Sequence, residues 1–132
     1  ILKKVLEENK FSIDDIIQRV SMLNNLNRII RAKKSVDFEI GHSYFMDDDT
    51  LVNILNKQVM PLLNEYFMYD LKKVKDIIKK QQKDSEGNLI PNLGIILNEG
   101  VWSNRGLLEV EKIEVFENLQ MVAEGGEKYG NL

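Results

Sequence analysis

The stretch from residue 12 to residue 34 constrains the fold more than any other part of the sequence. Ile13, Ile16, Ile17, Val20, Leu23 and Ile30 recur at offsets of three and four, which sets them on one side of a helix with 3.6 residues per turn. Ser12 stands just before the run and Asp15 three positions later, a capping-box-like pair that can satisfy free amides of the first turn. Asp14 and Asp15 lie at the positive end of the helix dipole. Arg28, Arg31, Lys33 and Lys34 crowd the negative end. The spacing predicts a helix ending near Lys34. A one-sided apolar helix of that length must bury its stripe against other elements, so a helical bundle is expected.

The flanking segments supply those elements. Ile1, Leu2, Val5 and Leu6 form a short amphipathic pattern within residues 1–10. From Thr50 a second stripe runs through Leu51, Leu55, Val59, Leu62 and Tyr66. Pro61 lies inside it; its ring lacks a donor and crowds the preceding turn, which predicts a kink or break just before it. Asp70 can cap a further helix that turns Leu71, Val74 and Ile78 to the core. Between the long helices, residues 35–49 hold Gly41 and the run Asp47, Asp48, Asp49.

The character changes after Lys83. Residues 84–88 read as a turn or linker, residues 93–97 as a short apolar run, and residues 108–116 alternate in part with period two. Asn104, Arg105 and Gly106 offer turn chemistry between the last two, and residues from Glu124 onward read as a frayed tail. The expected fold is mainly α, a small helical bundle over residues 1–83, with a β hairpin or meander in a C-terminal extension over residues 84–132. The charge divides at the same place. Residues 1–83 hold 15 Lys+Arg against 12 Asp+Glu, a balance of +3, and residues 84–132 hold 3 against 9, a balance of -6, giving the net -3. The chain begins at Ile1 and enters a helical pattern at once, so it reads as a piece of a longer protein.

Several chemistries are excluded by what the sequence lacks. Without cysteine there are no disulfides or thiolate metal sites, and one histidine, His42, cannot build a multi-histidine zinc site. No phosphate-binding loop or dinucleotide fingerprint is present. Gly125, Gly126, Lys128 and Gly130 have the wrong spacing and no following helix. No nucleophile elbow accompanies His42. The chain alone is therefore expected to hold no catalytic residues. No apolar run reaches the roughly 18 residues that cross a bilayer, and no secretory leader is visible, so a cytoplasmic location is expected.

Three features carry candidate roles. The three aspartates at 47–49 could hold a divalent cation, but calcium-loop spacing is absent, and capping the next helix explains them as well; no metal site is expected. Lys72, Lys75, Lys79 and Lys83 form a stripe opposite Leu71, Val74 and Ile78, either a solvated face or a phosphate contact. The segment Ile40, Gly41, His42, Ser43, Tyr44, Phe45, Met46 joins a glycine, a titratable ring, a hydroxyl and two aromatics. It can serve as a simple core plug and turn, or present polar groups to a ligand.

This last segment, followed by Met60, Pro61, Leu62, Leu63, Asn64, Glu65, Tyr66 and Phe67, resembles the end of McrB-like AAA+ NTPases, the motor subunits of modification-dependent restriction systems. Leu26 and Asn27 resemble that family's Leu-Asn element, and Asn64 stands where the second motif usually has an acidic residue. The resemblance covers roughly residues 12–80. It implies a helical lid that follows an α/β nucleotide-binding core. For the parent protein it implies GTP or ATP with Mg, a ring-forming homo-oligomer, an McrC-type nuclease subunit, and DNA as the substrate translocated and cleaved. His42 and Ser43 are then expected nearest the nucleotide or the subunit junction, with Gly41, Tyr44 and Phe45 supporting the turn. The alternative is a non-catalytic helical module that binds protein or nucleic acid through the lysines at 72–83.

Overall fold

The structure is a computed structural model that describes residues 2–102 and 108–114. Five helices come first: α1 (Leu2–Glu8), α2 (Ile13–Lys33), α3 (Leu51–Ile54), α4 (Met60–Tyr66) and α5 (Leu71–Lys79). Two short antiparallel strand pairs follow, β1 (Gln82–Lys83) with β2 (Leu89–Ile90) and β3 (Ile95–Trp102) with β4 (Leu108–Ile113). The mainly α class with a C-terminal hairpin is thus as the sequence predicts. The turn expected at residues 104–106 and the tail from residue 124 lie outside the described residues. Among the described residues, no helix is long and apolar enough to cross a membrane.

The helix starts follow the caps visible in the sequence. Ser12 Oγ accepts from the Asp15 amide at 3.1 Å, Thr50 Oγ1 from the Asn53 amide at 3.2 Å, and Asp70 Oδ1 from the Lys73 amide at 3.1 Å. Each satisfies one of the donors that a helix start leaves free. Thr50, not the preceding aspartates, caps α3. Asp49 instead accepts from the Thr50 amide and the Asn53 side chain, each at 2.8 Å, and these hold its carboxyl below the usual carboxylate range. Asp47 accepts from the Asp49 amide at 2.9 Å.

α2 is the central element and is enclosed on more sides than one apolar stripe would need. Ile16, Val20, Leu23 and Ile30 are buried, as expected, but Ile13 is exposed in the first turn. Met22, Leu26 and Ile29 are buried too, together with polar Arg19, Ser21 and Asn25. α1, both 3-10 turns of the 35–49 connection and the first strand pair all pack on it, so faces that read as polar are covered.

At Pro61 the helix does not stop. A π turn over Leu55–Val59 joins α3 to α4, and the Met60 amide donates five residues back, to the Leu55 carbonyl. The wider turn relieves the collision between the proline ring and the carbonyl four residues earlier. α4 ends at two consecutive residues in the left-handed region, Met68 (φ 56°) and Tyr69 (φ 59°). For residues other than glycine that conformation costs about 1–2 kcal/mol each.

The turn at residues 84–88 closes a tight hairpin. Asp84 Oδ1 accepts from the Glu86 and Asn88 amides at 2.9 Å, and Gly87 takes the left-handed φ of 86° that the turn requires. Arg28 of α2 donates to Asp84 Oδ2 at 3.0 Å and ties the hairpin to the bundle. The longer hairpin is registered from Ile95 opposite Ile113 to Trp102 opposite Leu108, with two irregularities on the way. Its inner residues Ile95, Leu97, Leu108 and Val110 join a single buried cluster that extends back to Leu2 of α1.

Candidate functional site

Residues 41–46 are the candidate site that the sequence singles out. Gly41 enters in extended conformation, with φ -71° and ψ 149°, and His42–Met46 make a 3-10 turn. Any residue can adopt that backbone at Gly41, and an added Cβ would meet only Ser43 Oγ, at an ordinary 3.8 Å. The turn therefore does not depend on glycine for its shape, contrary to the role expected of it.

Two side chains of α2 hold the turn instead. Asn27 grips the backbone just before it. Its Nδ2 donates to the Ile40 carbonyl at 2.9 Å and its Oδ1 accepts from the Ile40 amide at 2.6 Å. This reciprocal pair copies one rung of a β ladder. Arg19, fully buried, closes the other end. Its Nη1 donates to the carbonyls of Phe45 (2.9 Å) and Asp47 (2.6 Å), its Nη2 to the carbonyl of Asp49 (2.5 Å), and its Nε to Asp15 Oδ1 (2.8 Å). The guanidinium carbon lies 4.5 Å from the centre of the Phe11 ring. A buried guanidinium is tolerable only when charge and donors are both matched; Asp15 supplies the charge, the carbonyls and the ring supply the rest.

The clamp sorts the site residues by exposure. Phe45 is fully buried and Tyr44 half-buried against the core, where both anchor the turn. Gly41, His42 and Ser43 are exposed, side by side, at its outer edge. Neither the His42 nor the Ser43 side chain has a hydrogen-bond partner among the described residues. Tyr44 lies near Tyr66, whose phenol is pushed above its usual range mainly by burial, with the charges of Tyr44 and Glu65 adding to the effect.

The lysines do not form the single helical face that their spacing suggested. α5 ends at Lys79, Lys80 caps it, and Lys83 lies on strand β1. Lys72 and Lys79 are exposed and Lys75 is half-buried. Asn64 is buried within α4, its Nδ2 donating to the Met60 carbonyl at 2.8 Å. Among the described residues no cluster of acidic or histidine side chains could hold a metal ion.

Arg19 and Phe11 were not evident from the sequence as parts of the site. The available signal was an arginine between Ile16 and Val20, inside the buried stripe, with an aspartate one helical turn before it.

Comparison with known proteins points to one family. The family model of the McrB alpha-helical lid domain matches residues 18–75, which take in Arg19, Asn27, the whole turn and α3 to the first half of α5. No curated protein and no solved structure matches the chain. Residues 18–75, with the clamped turn at their centre, are an McrB-like lid region.

Proposed function

We propose that this lid region serves a nucleotide-driven motor of a DNA restriction system. In this reading the intact protein binds GTP or ATP with Mg on a separate core, assembles into a ring, and couples hydrolysis to DNA translocation and to cleavage by an McrC-type nuclease subunit. The present chain contributes no catalytic group. The observation that carries the reading is the coincidence of the family match with the clamped turn that presents His42 and Ser43.

The mechanical role follows from how the turn is held. Two bonds from Asn27 and three from Arg19 join the backbone of residues 40–49 to α2. A push on His42 or Ser43 is therefore transmitted to the longest helix of the bundle rather than absorbed in a loop. Such a rigid unit can rotate between two docking positions when the contacts at one end change. An exposed imidazole and hydroxyl suit hydrogen bonds to phosphate or ribose oxygens, or to a neighbouring subunit. The nucleotide supplies the bond that is hydrolysed, while residues of this chain bind and orient.

The test is kinetic and uses the full-length protein. His42→Ala and Ser43→Ala, alone and together, are expected to lower NTP turnover by about tenfold, the size of one lost hydrogen bond that orients a bound group. Both side chains are exposed, so thermal stability should be unchanged. Turnover and assembly equal to the parent protein would remove this turn from the mechanism.

A further inference from the structure

We draw no further inference here: the strongest candidate, the open groove between the end of α1 and the Met46 end of the clamped turn, lined by Asn9, Lys10, Phe11, Met46 and Asp48, sets a cation and a carboxylate beside apolar side chains, and nothing in the structure shows what fills it.

Discussion

Arg19 is the side chain on which the local order of the turn depends most. Its loss would leave the carbonyls of Phe45, Asp47 and Asp49 without their donor and Asp15 without its cation. We expect Arg19→Met to cost about 3–5 kcal/mol in chemical denaturation, and Arg19→Lys to recover little, since an ammonium cannot span four acceptors in a plane. Gly41→Ala should change stability by less than about 0.5 kcal/mol, because the backbone and the space at Gly41 are ordinary. Ser21 is buried in α2 and its hydroxyl has no partner among the described residues, so Ser21→Ala should stabilise by about 0.5–1 kcal/mol. At this scale the caps were legible in the sequence, since Ser12 and Asp70 act through the next few amides. Arg19 was not, because Asp15 is its one near partner and the carbonyls it holds lie 26 to 30 positions away, where no local pattern reveals them.

Among the elements, the π turn before Pro61 shows how a local rule and its outcome can differ. The proline signals a disturbance in the preceding turn, and a disturbance is there. Its form, a widened turn inside a continuing helix, is set by packing: Leu55 and Val59 are buried and would leave the core if the helix broke. The same turn carries Asn56, which donates to the Val110 carbonyl at 3.0 Å and accepts from the Val110 amide at 2.7 Å. Asn56→Ala should therefore speed amide exchange across Leu108–Ile113 while leaving α2 protected. The short hairpin is governed by Asp84. Its carboxyl is lowered first by the Arg28 hydrogen bond and then by the Asn88 amide, as that of Asp49 is lowered by Asn53 and Thr50. Both folded pKa values lie below the unfolded value of about 3.9. Their contribution is present above that pH and is lost as the pH falls through the folded values. Tyr66 acts with the opposite sign. Its raised phenol gives stability that is full below about pH 10 and declines as the pH rises through the folded value. Melting curves across pH should show Asp84→Asn flattening the acid side and Tyr66→Phe flattening the alkaline side.

Across the whole molecule, a single buried cluster runs from Leu2 to Val110, so the hairpins share a core with the helices although composition and charge change near Lys83. Periodicity identified the helices and alternation the strands, because both depend on near neighbours. Which faces meet was not legible, and the exposed Ile13 and the enclosed back of α2 are the result. The family was legible through residues 40–46, their companions near Pro61, and Leu26 with Asn27, and the family match at residues 18–75 encloses all three. What the fold adds is the linkage of the first of these to α2. The most direct measurement of this linkage is hydrogen exchange on the full-length protein with and without a non-hydrolysable NTP analogue. Bound analogue is expected to slow exchange at residues 42–46 and along the N-terminal half of α2. Exchange in both segments that is the same with and without it would show that the turn and α2 do not respond to nucleotide together.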